Sequence, residues 1–333
     1  MKTSRKGFRN VGAAIILPAL CALTMAQEPT QKQSDLLVKL SLIVTDHANH
    51  SLDNVTKDEI QIVEDKTPQT ISVFARDVRP VDYGVAIDAS GSLRDSLGAM
   101  LAAAKLFVNN KQDSDEVFIE RFIDHDKIEN MQEFTSDKAA LVKSLDRIYI
   151  EGGQSAVIDG IYLAVKHVAE HRFGPDRRHA LILLTDGEDR QSYYGQSQLL
   201  QLIREKDVQV FAIGLVGLLD NRSVRKGLSQ REKAEKLLST VTRETGGRVF
   251  FPNNMRELVQ AVTEIVRDLN GQYMITYKST TNDNKENFRT VDVKISESPG
   301  REKLTAVTRS GYFVNPPTSS FEETDKKKKK NPE

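Results

Sequence analysis

Asp88, Ser90 and Ser92 form a D-x-S-x-S pattern at the end of an apolar run, within residues 85–92 (V-A-I-D-A-S-G-S). One carboxylate and two hydroxyls are hard oxygen donors, the type that Mg²⁺ accepts. Val85, Ala86 and Ile87 read as a strand that ends on Asp88 and breaks at Gly91. Leu93, Leu97, Met100, Leu101, Ala104 and Phe107 then recur at helical spacing. In an open α/β sheet, ligands bind beyond the carboxyl ends of the strands, so this loop stands where a site is expected. The same Ser and Asp would also serve as ordinary helix caps. Other loops must therefore bring donors to the same edge before the pattern amounts to a site.

Two loops do so. Residues 151–155 (E-G-G-Q-S) precede a helical stretch and supply the hydroxyl of Ser155. Asp186 ends the most apolar run of the chain, 180–184 (A-L-I-L-L), inside L-T-D-G-E-D at 184–189. On adjacent parallel strands, Asp88 and Asp186 would repel and raise each other's pKa unless a cation neutralised them. Mg²⁺ takes near-octahedral oxygen, so two carboxylates and up to three hydroxyls leave at least one position for an outside ligand. Tyr193 and Tyr194 follow closely, and an exposed aromatic pair beside such a site would suit a partner contact, with loop packing as the alternative.

Two rival chemistries are weaker. His167 and His171 in H-x-x-E-H share a helix face, as in zinc hydrolases of the inverted motif. That chemistry also needs a third ligand and a cleft, and this helix end lies away from the edge carrying Asp88. An aspartate-nucleophile phosphoryl transferase would also place Asp at a first-strand end with Mg²⁺. Such sites carry a second Asp two residues on, where Ser90 stands. Neither pattern is complete, and an enzyme is not expected.

The elements that must position these residues come in two styles. Leu36, Val38, Leu40, Leu42 and Val44 alternate along one strand, and Ile60, Ile62, Ile71 and Val73 mark further short strands. From Val81 to residue 269 strands alternate with helices, which argues for a parallel sheet covered on both faces. Helical stretches are expected at 137–147, 156–170, 199–206, 232–242 and 255–269, with strands at 117–122, 180–184, 208–213 and 248–251 and a hairpin return over 128–134. Beyond Gly271 the period returns to two at Tyr273, Ile275 and Tyr277, then Val291, Val293 and Ile295, then Leu304, Ala306 and Thr308. Forty N-terminal β residues are too few to stand alone, so the prediction is a β-sandwich built from both ends of the chain. The expected organisation is a β segment at 34–78, an α/β domain at 80–269, a second β segment at 271–315 and a disordered Lys-rich tail at 316–333.

Composition supplies an address. The 333-residue chain has 47 basic and 47 acidic residues. Lys2, Arg5, Lys6 and Arg9 precede an apolar stretch over 11–25, and Thr24 and Ala26 offer small residues at a cleavage site. Removal of residues 1–26 as a signal peptide would take away four positive charges and leave a net charge of −4. That mild acidity argues against a nucleic-acid partner. The apolar stretch is too short for a comfortable span, so no membrane span is expected in the mature chain. The single cysteine, Cys21, falls within the signal segment, so the mature chain would have neither disulfide nor thiolate chemistry. A secreted or periplasmic cell-envelope protein is expected.

Taken together, D-x-S-x-S at 88–92, the Gly-Gly-turn hydroxyl and T-D-G at 185–187 resemble the von Willebrand factor A domain and its metal-ion-dependent adhesion site. The resemblance covers roughly residues 80–269 and implies a doubly wound, Rossmann-like α/β fold. The flanks, V-T-D followed by an E-D turn before the domain and R-x-G-Y-F at 309–313 after it, are similar to those of bacterial secreted VWFA-related proteins. By that resemblance Asp88, Ser90, Ser92, Ser155 and Asp186 would hold one Mg²⁺ (or Mn²⁺ or Ca²⁺), and an Asp or Glu of a partner protein would complete its coordination. Such sites in the family can couple coordination to movement of the last helix, here 255–269. The family usually has Thr in the third loop. Counting back from Asp159 puts Ser155 in that position, whereas counting from Gly152-Gly153 puts Gln154 there; a helix start fixes geometry better and favours Ser155.

Overall fold

Strand β1 (Leu37–Thr45) buries alternate residues up to Leu42 and then buries every position to Thr45. The change has a structural cause: Ile43 packs into the core of the α/β body while Val44 stays in the β core beneath it. β2 (Ser51–Leu52), β3 (Ile60–Glu64), β4 (Thr67–Gln69) and β5 (Ile71–Arg76) follow. Asp65 and Lys66 join β3 to β4 with both φ values positive, the twist that a two-residue hairpin turn requires. The computed structural model describes residues 36–171, 174, 176–221, 227–281, 287–297 and 302–315. The expected signal segment (1–26) and the Lys-rich tail (316–333) lie outside the described residues.

The α/β body runs β6 (Val81–Asp88), α1 (Leu97–Asn110), β7 (Glu116–Phe122), β8 (Ile128–Thr135), α2 (Lys138–Leu145) and α3 (Val157–Glu170). It continues with β9 (Arg178–Thr185), α4 (Gln196–Glu205), β10 (Gln209–Gly214), α5 (Gln230–Thr245), β11 (Val249–Phe250) and α6 (Met255–Gly271). The sheet order is β11-β10-β9-β6-β7-β8, parallel except for the hairpin return β8. β6 and β10 are buried at every position, as strands covered on both faces must be. Val85 and Ile87 face α1, α2 and α6, whereas Ala86 faces α3, α4 and α5. Gly160 lets α3 press onto the β7 ring of Phe122, where an added Cβ would stand 2.7 Å from the ring. This is the doubly wound α/β arrangement expected from the alternation of strands and helices.

The chain then returns to the base as β12 (Tyr273–Lys278), β13 (Phe288–Ile295), β14 (Thr305–Val307) and β15 (Gly311–Phe313). One sheet runs β14-β1-β12-β5 with β2 added to β1, and the other runs β15-β13-β3-β4. Strands from both ends of the chain therefore meet within each sheet, alternating in the first and joining at β13-β3 in the second, and a shared apolar core lies between the sheets. β15, part of the R-x-G-Y-F motif, had no period-2 pattern long enough to be read as a strand.

A buried carboxylate ties the two sheets. Glu64 accepts hydrogen bonds from Tyr277 Oη (2.7 Å), Tyr312 Oη (2.8 Å) and Ser279 Oγ (2.5 Å), with Arg289 at 3.3 Å. The E-D turn and the R-x-G-Y-F segment thus meet at one group. Burial opposes the charge on Glu64, but hydrogen bonds from Ser279, Thr281, Tyr277 and Tyr312 outweigh it and hold the carboxyl below its ordinary range. Among the described residues no helix is long and apolar enough to cross a membrane.

Candidate metal-binding site

β6 and β9 are neighbours and run parallel, with Ile87 opposite Leu184, so Asp88 and the Thr185-Asp186 pair leave the sheet side by side. The loop after β6 turns at once: Leu93 N–H closes a 3₁₀ turn on the Ser90 carbonyl (3.2 Å), and the fully buried Leu93 anchors it. The loop after β9 turns at Gly187, whose φ of +76° suits glycine. Gly187 N–H is received by Thr185 Oγ1 at 2.9 Å.

The loop before α3 is tied to both. Ala156 N–H bonds the Ile123 carbonyl beyond β7 (3.1 Å), and the Ser155 carbonyl accepts from Arg190 and Gln191 N–H beyond β9 (2.8 and 3.2 Å). Asp189 Oδ1 receives Ile158 N–H (3.1 Å) in the first turn of α3, and Asp159 receives the N–H groups of Tyr193 and Tyr194 (2.7 and 2.8 Å). The two loops therefore hold each other through reciprocal carboxylates. Asp189, which closes the L-T-D-G-E-D stretch, supplies one half of this clamp.

All five expected donors converge. Asp88 is wholly buried; its Oδ1 accepts Ser90 N–H (3.0 Å) and its Oδ2 accepts Ser155 Oγ (2.9 Å) and Thr185 Oγ1 (2.7 Å). Ser92 Oγ donates to Asp186 Oδ2 (2.7 Å) and stands 3.2 Å from Ser90 Oγ. Asp186 Oδ1 accepts Glu188 N–H at 2.9 Å. Ser155 is buried and Gln154 is exposed, so it is Ser155 that faces Asp88. Ser92 is exposed and opens the cluster to solvent.

Burial first, and Asp186 next, push the Asp88 pKa up to about 6, against the hydrogen bonds from Thr185 and Ser90. Asp186 is also raised, chiefly by burial, with Ser92 and Glu188 N–H partly offsetting it. The neighbouring Arg190 guanidinium is held by Glu188 at 2.6 Å. Two carboxylates with raised pKa values, surrounded by hydroxyl oxygens, form a donor set that fits a hard divalent cation of the Mg²⁺ class.

One expectation needs adjustment, and three further residues find their partners. Tyr193 is 56% exposed, but Tyr194 is half-buried and stacked on Tyr162 at 3.8 Å, so the pair is not a continuous exposed surface. The backbone bonds to Asp159 set this, because they turn the second tyrosine over α3. His167 and His171 address different carboxylates, Glu133 (3.2 Å) and Glu116 (3.0 Å), rather than one centre. Thr185 was quoted in T-D-G without a role, yet its hydroxyl makes the shortest bond to Asp88 Oδ2. The signal was present: a Thr at the end of a buried strand needs a partner for its hydroxyl.

Comparison with known proteins bears on the same segment. The model of the von Willebrand factor type A domain matches residues 82–268, more than half of the chain. Among solved structures, an aerotolerance-related membrane protein from Bacteroides fragilis is similar at 20% identity, covering 56% of this chain and 98% of that one with a TM-score of 0.42. A von Willebrand factor type A protein from Catenulispora acidiphila is 12% identical over 85% of this chain and 76% of that one, with a TM-score of 0.46. The vWF domain of the type V pili tip protein Mfa5 from Porphyromonas gingivalis is 12% identical over 58% and 95%, with a TM-score of 0.45. No curated protein matches the chain. By the extent of the family match and by its doubly wound α/β architecture, the chain belongs to the von Willebrand factor type A domain family.

Proposed function

We propose that this chain is an exported protein-interaction module that holds one divalent cation, Mg²⁺ or else Mn²⁺ or Ca²⁺, on Asp88, Ser90, Ser92, Ser155 and Asp186. Through it the module engages an exposed Asp or Glu of a partner protein. The observation that carries the reading is the convergence of two raised-pKa carboxylates and three hydroxyls at one open sheet edge. A bound cation would neutralise the carboxylates and offer a coordination position to an outside oxygen. The chain's own part is positioning. Thr185 and Ser155 fix Asp88, the Gly187 turn aims Asp186, and Ser92 lies where a partner can approach. Tyr193 supplies an exposed apolar contact near this edge.

Binding rather than turnover is supported by the hydroxyl partners. Ser155 and Ser92 donate to carboxylates, and among the described residues no imidazole or amine in the cluster takes a serine proton as an activated nucleophile would require. Export rests on the basic, then apolar, then small-residue order of residues 1–26. A second reading is favoured by the full burial of Asp88 and its bonds to three loops: the cation would serve only to stabilise an envelope protein.

Calorimetric titration of the full chain with Mn²⁺ should show one site, lost in Asp186→Ala; unchanged affinity in that variant would overturn the assignment. Binding of Glu-containing peptides that chelator abolishes and Gln-for-Glu peptides lack would support interaction. Cation-dependent melting without such binding would support the structural role.

A further inference from the structure

The opposite end of the same sheet carries a second constellation. Asp82 lies six residues before Asp88 on β6, roughly 20 Å away along a strand. The parallel register places Glu116 of β7 on one side of Asp82 and His179 of β9 on the other. Neighbours in register share a face, and this is the face covered by α3, whose C-cap residue is His171. One ligand atom each from Asp82, Glu116 and His171 lies within 4.8 Å of the others. His171 Nε2 is 3.0 Å from Glu116 Oε2, and His179 Nε2 is 3.8 Å from Asp82 Oδ2.

A cluster of charged groups could be only a network of ion pairs, but one atom is left over. The Asp82 side chain is 1% exposed, and its Oδ1 accepts Arg177 Nε at 2.6 Å. Its Oδ2 is buried without a hydrogen-bond partner among the described residues and faces His179. A buried carboxylate oxygen without a donor is costly, and a metal ion satisfies it. Arg177 on the other oxygen is the kind of outer partner that orients a ligating carboxylate. Phe134 stacks on the His171 ring at 3.7 Å and 8°, which fixes the plane of the imidazole.

We propose that Asp82, Glu116, His171 and His179 form a site for one Zn²⁺ at the lower edge of the sheet. Mixed imidazole and carboxylate donors suit zinc and its borderline neighbours, whereas Mg²⁺ and Ca²⁺ select all-oxygen sets. Ligands at about 2.0–2.1 Å on a tetrahedral ion stand about 3.4 Å apart, which is within the 4.8 Å spread of Asp82, Glu116 and His171. His179, 3.8 Å from Asp82 Oδ2, lies outside that group and would swing toward the ion to complete it. The ion would staple the C-terminal end of α3 to β6, β7 and β9. His171 belongs here, and His167, turned to Glu133, does not.

The test is a Zn²⁺ titration of the full chain with Mg²⁺ in excess, read by calorimetry and by the melting temperature. One equivalent should bind and raise the melting temperature. His171→Gln and Glu116→Gln should each weaken binding at least ten-fold, while His167→Gln and Asp186→Ala leave it within two-fold. Both ligand variants sit on partly exposed side chains, so they avoid the folding risk of changing Asp82. Absence of saturable binding, or equal weakening in His167→Gln and His171→Gln, would overturn the site.

Discussion

Ser155 Oγ donates to Asp88 Oδ2 across 2.9 Å, joining residues 67 positions apart in the chain. Its neighbour Gln154 points to solvent. Ser155→Ala should therefore remove a donor from a buried carboxylate oxygen and lower stability by about 1–3 kcal/mol. Gln154→Ala should stay within about 0.5 kcal/mol of the parent. Urea midpoints of the two variants check this; equal losses would mean that the third loop contributes through either residue.

Cation binding should appear as stability. At roughly 100 times its Kd, Mg²⁺ stabilises a protein that binds it only when folded by about 2.7 kcal/mol. The melting temperature of the parent should rise with Mg²⁺ and fall back with chelator, while that of Asp88→Asn should not respond. A Mg²⁺ response of the variant equal to that of the parent would place the ion elsewhere.

Gly160→Ala probes the positioning of the third loop rather than its donors. A methyl group at this position meets the Phe122 ring at 2.7 Å and must push α3 away from β7. The expected cost is about 1–3 kcal/mol, and displacement of the α3 start should also reduce Mn²⁺ affinity. Unfolding and calorimetry on the one variant measure both effects.

Glu64 sets an acid limit on the sandwich. Its pKa when folded lies below the ordinary value of 4.5. The stability it contributes is therefore complete above the unfolded value and is lost as pH falls through the folded one. Glu64→Gln should be less stable than the parent at about pH 7, with the difference shrinking toward about pH 3. A difference that grows on acidification would reverse the sign of this linkage.

β12 lies between β1 and β5 in its sheet, so the two N-terminal strands are not paired with each other. Deletion of residues 271–315 should expose residues 36–76 to protease. Unchanged protection of that segment would show that it folds without its C-terminal partners.

Much of this molecule was legible in one dimension because its periodicities are local. Alternation at Val38, Leu40 and Leu42 marked a one-sided strand, the unbroken run at 180–184 marked a central one, and Asp88 and Asp186 each ended such a strand. Positions at strand ends follow from the chain itself, so two carboxylates at one sheet edge could be inferred once the strands were taken as neighbours. The change from period two to strand-helix alternation and back likewise marked where the sandwich is interrupted.

What the tertiary structure decided depends on pairs that no local pattern encodes. Which residue of Gln154-Ser155 turns inward depends on where α3 docks, and Gly160 against Phe122 sets that. Tyr194 packs on Tyr162 because Asp159 receives its N–H, a bond that closes 35 positions along the chain. His171 joins Asp82 and Glu116 only because β6 and β7 are in register at that level. Sequence spacing determines which residues share a face of one element. Register and docking between elements determine which faces meet, and the site is made of such meetings.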